Sequence, residues 1–133
     1  MKGKVWGVVA AVLYATAVPR GVVGQVRSPG EVKMEQVGRT FLFDYGDLVI
    51  RVRYLSDRRL EWEQVKGPQA GLKGQEEYGS SAIRPGVHFI WWQEKDTSIV
   101  TQVVDFEKKV VHTTWTSPEK KLAAFQGRIE PAP

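Results

Sequence analysis

From Thr40 onward the chain is a succession of short β-rich runs bounded by turn-forming residues, and this rhythm limits the fold more than any other feature. The runs are Thr40 to Asp44, Leu48 to Leu55, Leu60 to Gln64, Tyr78 to Arg84, Val87 to Glu94, Ser98 to Phe106, Val110 to Thr116 and Leu122 to Ile129. Between them lie Tyr45-Gly46-Asp47, Ser56-Asp57-Arg58, Arg84-Pro85-Gly86, Lys95-Asp96, Glu107-Lys108 and Ser117-Pro118, all tight-turn material. Only Gly67 to Glu77, rich in glycine, reads as a longer loop. Eight short strands joined mostly by tight turns predict an all-β protein, an eight-stranded antiparallel up-and-down barrel of the size that encloses one small ligand. A sandwich is the alternative. Helix is nearly absent, apart from a turn over Gly30 to Val37 that would lie against the barrel mouth.

The N-terminus differs in kind. Lys2 and Lys4 precede an apolar stretch from Val5 to Val18, and Ala15-Thr16-Ala17 matches a small-residue cleavage site, which together read as a secretory signal. A membrane span needs roughly 20 apolar residues, and this run stops at Pro19 and Arg20. The expected organisation is a signal peptide and the start of a tether over 1–25, an irregular tether over 26–37 and one barrel domain over 38–130. The protein is then expected to be secreted or periplasmic, with no stable membrane anchor after cleavage. Removing Lys2, Lys4 and Arg20 from the 19 basic residues leaves 16 against 15 acids, so the mature chain is near neutral. No Lys/Arg cluster with interleaved aromatics follows, and no nucleic-acid partner is expected. Zero cysteines exclude disulfides, thiolate metal sites and thiol chemistry.

Charge complementarity fixes the first hairpin. A loop of Ser56, Asp57 and Arg58 sets Arg53 opposite Glu61 and Arg51 opposite Glu63, which pairs Tyr54 with Leu60 and Val52 with Trp62 on the other face. In the later strands a two-residue turn at Lys95-Asp96 pairs Trp92 with Ile99 and Ile90 with Thr101. A turn at Glu107-Lys108 pairs Thr101 with Thr114 and Val103 with His112. One face then holds His88, Ile90, Trp92, Glu94, Thr101, Val103, His112 and Thr114. The other holds Phe89, Trp91, Val100, Val104, Val111 and Trp115, with Gln93, Gln102 and Thr113. Hydrophobicity alone buries the second face. The mixed face has the composition of a ligand pocket, apolar walls with a few convergent polar groups.

Glu94 is the candidate for chemistry, because a carboxyl beside Trp92 inside a barrel has its charged form disfavoured and can serve as an acid. His88 and His112 fall on one face with Val103 between them, roughly 9 to 10 Å apart, too far to share an ion with bonds of about 2 Å. No metal and no cofactor is assigned. Phe43, Tyr54, Trp62 and Trp92 either stack a ligand or fill the barrel as core. The Gly67 to Gly74 loop precedes no helix and is no phosphate loop.

The run Glu77-Tyr78 through Ile83-Arg84-Pro85-Gly86-Val87 to Trp92, followed by Thr97-Ser98-Ile99-Val100 and Val104-Asp105-Phe106-Glu107-Lys108, resembles the MoaF-like group (molybdenum cofactor biosynthesis protein F) over about Gly38 to Arg128. The resemblance implies a calycin-type, lipocalin-like barrel, related in fold to the phenolic acid decarboxylases. Those enzymes use paired tyrosines, an arginine and a glutamate. The positions that match them here are Phe41 and Phe43, Leu72 beside Lys73, and Glu94, so only the acid survives. The comparison also places Tyr54, Trp62, Trp92, Glu94, Thr101 and Thr114 toward the interior, and so favours the mixed face.

The leading expectation is an exported barrel that binds a small aromatic or heterocyclic molecule in a pocket of Phe43, Tyr54, Trp62, Trp92, Glu94, Thr101, His112 and Thr114. The alternative is a lyase or isomerase using Glu94 as general acid or base. A third reading is an interaction module, with a homodimer formed through Phe89, Trp91 and Trp115.

Overall fold

The structure, a computed structural model, describes residues 34–132. The expected signal segment and most of the tether lie outside the described residues. Eight strands follow one another: β1 (Thr40–Asp44), β2 (Val49–Tyr54), β3 (Arg59–Lys66), β4 (Lys73–Arg84), β5 (Val87–Gln93), β6 (Ile99–Asp105), β7 (Val110–Thr116) and β8 (Leu122–Pro131). Each pairs antiparallel with its sequence neighbours and β8 returns to β1, so the sheet closes into a barrel without a free edge. Alternation along the strands decides what lies inside. Phe41, Phe43, Val52, Tyr54, Leu60, Tyr78, Ile90, Trp92, Val100, Val104, Val111 and Ile129 are buried together as the core.

The β2–β3 hairpin has the register that the charges dictate. Arg51 meets Glu63 at 2.7 Å and Arg53 meets Glu61 at 3.7 Å on the outside, while Val52–Trp62 and Tyr54–Leu60 pair on the inside. Exposed ion pairs of this kind contribute about 0–1 kcal/mol each, so here they select register more than they stabilise it.

Two expectations are corrected. The glycine-rich stretch expected as a loop is strand in its second half, since β4 begins at Lys73 and only 67–72 turn the chain. Two glycines of β4 clear space for tryptophans on both sides of the sheet. A Cβ on Gly74 would lie 2.9 Å from the Trp62 indole nitrogen inside, and one on Gly79 would lie 2.5 Å from Trp91 Cζ2 outside.

The second correction concerns the β5–β6 turn. It holds three residues, Lys95 to Thr97, because the Glu94 amide donates to the Ser98 carbonyl at 2.8 Å and Thr97 closes the turn at φ 76. A three-residue hairpin of this kind ends on a left-handed residue. Trp92 therefore pairs with Val100, and Ile90 with Gln102, one residue from the expected register. A one-residue slip turns over every following side chain. The expected β6–β7 register is correct, with Thr101 opposite Thr114 and Val103 opposite His112, but those four residues lie outside with Trp91 and Phe89. Val100, Gln102, Val104, Val111 and Thr113 lie inside. Trp115 pairs with Val100 and belongs to the inward face with Trp92, not to the outer row with Trp91.

The chain before β1 seals one end of the barrel. Gln36 is fully buried and its Nε2 donates to the Tyr78 hydroxyl at 3.4 Å, while Glu35 Oε1 lies 3.0 Å from Nε2 of the buried His88. The turn expected over Gly30 to Val37 is thus present in its described part, at 35–38. Gly38, at φ 82, donates its amide to the Tyr54 carbonyl and leads directly into β1.

Candidate functional site

At the barrel end away from this plug, two tryptophan–glutamate pairs come from three adjacent strands. Trp62 projects inward from β3 opposite Gly74, and its indole nitrogen donates to Glu76 Oε2 of β4 at 3.0 Å. Trp92 projects inward from β5, and its indole nitrogen donates to Glu94 Oε2 at 3.2 Å. Glu76 is buried and Glu94 half-buried. Burial pushes the Glu94 carboxyl above its ordinary value, the Trp92 N–H opposes this, and the negative charges of Glu76 and Asp96 reinforce it. The indole donors orient both carboxylates and leave each with further lone pairs for a donor on a bound molecule. Two carboxyls in one partly desolvated site can also hold and pass a proton.

A second polar group sits in mid-barrel. The Tyr45 and Thr113 hydroxyls are 2.7 Å apart, and Gln102 Nε2 donates to Thr113 Oγ1 at 3.3 Å. Burial raises the Tyr45 phenol to about 12. Tyr54 is fully buried, and desolvation, with the nearby Tyr78 and Tyr45 phenols, holds its phenol well above the usual tyrosine value. Its hydroxyl and Gln102 Oε1 have no hydrogen-bond partner among the described residues.

The expected pocket is therefore divided. Phe43, Tyr54, Trp62 and Trp92 face inward and Glu94 stands beside Trp92, whereas Thr101, His112 and Thr114 are together on the outer surface. His88 and His112, expected on one face, lie on opposite faces. His88 is spent on Glu35 and packs against Phe106 at 5.8 Å. Among the described residues no group of three or more His, Asp or Glu could hold a metal ion. Phe41 and Phe43, which stand where the decarboxylase resemblance has tyrosines, fill the core with their rings 6.4 Å apart, and Leu72 and Lys73 are exposed. Glu76, Tyr45, Gln102 and Thr113 escaped the sequence reading of the site. Glu76 was hidden in a stretch that resembles a loop, and Gln102 and Thr113 followed the β6–β7 faces to the wrong side.

Similarity searches agree with this architecture. No curated protein matches the sequence. A solved structure described as that of "a putative beta-lactamase from Burkholderia vietnamiensis" superposes with a TM-score of 0.72 at 25% identity, covering 77% of this chain and 99% of that one. A family model described as MoaF-like matches residues 37–130, which is the whole barrel except its last strand residue together with the end of the plug. The chain belongs to the MoaF-like family.

Proposed function

We propose that this protein is an exported binding barrel whose ligand is a small aromatic or heterocyclic molecule, held at the end lined by Trp62, Glu76, Trp92 and Glu94. The observation that carries the reading is the pair of indole-oriented carboxylates on the inward face. Indole rings supply flat apolar surface, and carboxylates already fixed by an N–H donor lose little freedom when a ligand N–H or O–H adds to them. The plugged opposite end leaves this end as the way in. Intrinsic tryptophan fluorescence titrated with a panel of aromatic acids and pterins tests the proposal. A saturable response is expected, lost in Trp92→Ala and in Trp62→Ala, and no response across the panel would refute it.

The upward-shifted Glu94 supports a second reading, a lyase or isomerase in which Glu94 delivers or removes a proton. Glu94→Gln would then abolish turnover and leave binding largely intact. The beta-lactamase label of the structural neighbour gains no support from the serines here. Ser117-Pro118-Glu119-Lys120 has the Ser-x-x-Lys spacing but lies in the β7–β8 turn, where Ser117 Oγ accepts the Lys121 amide at 3.0 Å and Lys120 is exposed.

A further inference from the structure

Charge is divided unevenly between the inside and the outside of this barrel. Every described lysine and arginine is exposed, whereas Glu76 is buried and Glu94 half-buried. Tyr78 pairs with Trp92 across β4 and β5, so Glu76 and Glu94, each two residues nearer the open end, continue the same inward faces. His88, the one buried base among the described residues, is at the plugged end and faces Glu35. Neither Glu76 nor Glu94 forms an ion pair among the described residues. The charges that bear on Glu94 are those of Glu76 and Asp96, both negative. Burying a carboxylate without a counter-charge is costly, and a bound cation offsets that cost.

Two further features point to an organic cation. The first is aromatic. Each carboxylate accepts an indole N–H, from Trp62 at 3.0 Å and from Trp92 at 3.2 Å, so negative charge is held at the edge of a ring whose face also attracts cations. The second is a pair of unmet acceptors. Ser98 and Gln102 are the inward residues of β6 on the two diagonals from Trp92, fully buried and 4% exposed respectively. The Ser98 hydroxyl and Gln102 Oε1 have no hydrogen-bond partner among the described residues. An amide oxygen only accepts, so Gln102 Oε1, like the two carboxylates, calls for a donor. A metal ion fits less well, because no three ligating side chains come together among the described residues.

We propose that the ligand of this end is an organic cation: an aromatic or heterocyclic molecule carrying a protonated amine or amidine, its charged N–H groups between Glu76 and Glu94 and its ring against Trp62 and Trp92. This rests on the open end being the ligand site and adds the sign of the ligand's charge. An aromatic acid is disfavoured there, since its carboxylate meets two like charges and no base.

Three ligands that share one ring system and differ in charge, naphthylmethylammonium, naphthylmethanol and naphthoate, test this when titrated into the full chain by calorimetry at neutral pH. The ammonium is expected to bind at least about tenfold more tightly than the alcohol, and naphthoate more weakly than either. Glu76→Gln and Glu94→Gln are nearly isosteric and keep an acceptor for the indole N–H. Each should weaken the ammonium at least about tenfold and the alcohol less than about twofold. If the alcohol or naphthoate binds as tightly as the ammonium and is lost in Trp92→Ala, the site stands and the charge preference is overturned. Ammonium binding that survives both glutamine variants also overturns it. If none of the three binds, the site and its charge preference fall together.

Discussion

Three buried or half-buried phenols allow the same chemical change to be made in three environments, with opposite expected signs. Tyr54 is fully buried, packed edge-on against Tyr78 at 5.4 Å and Phe41 at 6.2 Å, and its hydroxyl has no partner among the described residues. An unmet buried hydroxyl costs about 1–3 kcal/mol, so Tyr54→Phe removes that penalty and keeps both ring contacts. The oxygen-sized void it leaves costs a few tenths of a kcal/mol at about 24 cal/mol per Å³. The net expectation is a stabilisation of about 1 kcal/mol, and a Tm higher by about 4–8 °C in a domain of this size. Tyr45 and Tyr78 are the controls. Tyr45 bonds Thr113 at 2.7 Å, and Tyr78 donates to the Ser56 carbonyl at 2.7 Å. Each Tyr→Phe change there should cost about 1 kcal/mol. Urea unfolding followed by tryptophan fluorescence, with equal m-values in all four proteins, gives the comparison. If Tyr54→Phe is destabilising to the same degree as Tyr45→Phe, the Tyr54 hydroxyl is satisfied in solution, and the reasoning from an unmet polar group is wrong.

Glu94 should give stability a pH dependence of known sign. Its carboxyl is raised in the folded state, so the native protein holds this proton more tightly than the unfolded chain. Its contribution is therefore fully present below the usual carboxylate value and is lost as pH rises through the raised value. Glu94→Gln should flatten that segment of the curve and raise the urea midpoint at pH 7 relative to pH 4; a variant with an unchanged pH profile would exclude Glu94 as its source. Thr97 is a β-branched residue held at φ 76, and Thr97→Asn should stabilise by about 1 kcal/mol in the same assay, with a loss of stability counting against strain at the turn. Gly127→Ala would place a Cβ 2.7 Å from the Asp44 carbonyl oxygen, a backbone atom with little room to yield, and should destabilise by about 1–3 kcal/mol; a neutral result would show that β1 and β8 can separate freely.

The parts of this barrel that could be read from sequence are those where a residue type has one use. Arg51 and Arg53 can face Glu63 and Glu61 in a single register, so β2 and β3 were legible to the residue, and with them the inward positions of Tyr54 and Trp62. Turn chemistry separated the other strands for the same reason. The errors arise where two uses look alike. Gly74 reads as a loop residue, yet it makes room for Trp62 on the inner side of β4, as Gly79 does for Trp91 on the outer side, a reason that exists only once β3 and β5 are in place. That disguise hid Glu76, half of the candidate site. At the β5–β6 turn, a left-handed position is normally announced by glycine or asparagine, and here it is occupied by threonine, so a two-residue turn fitted the sequence equally well. Hydrophobicity alone put Val100, Val104 and Val111 on the buried side, but the slipped register set Thr101, His112 and Thr114 on the face of Trp92, where they had the composition of a pocket. In this chain the register is settled by the barrel's need to put Val100, Val104 and Val111 beside Ile90 and Phe43. The same need sends Thr101, His112 and Thr114 outward beside Trp91, so the residues that looked like one pocket are shared between an interior site and the outer surface.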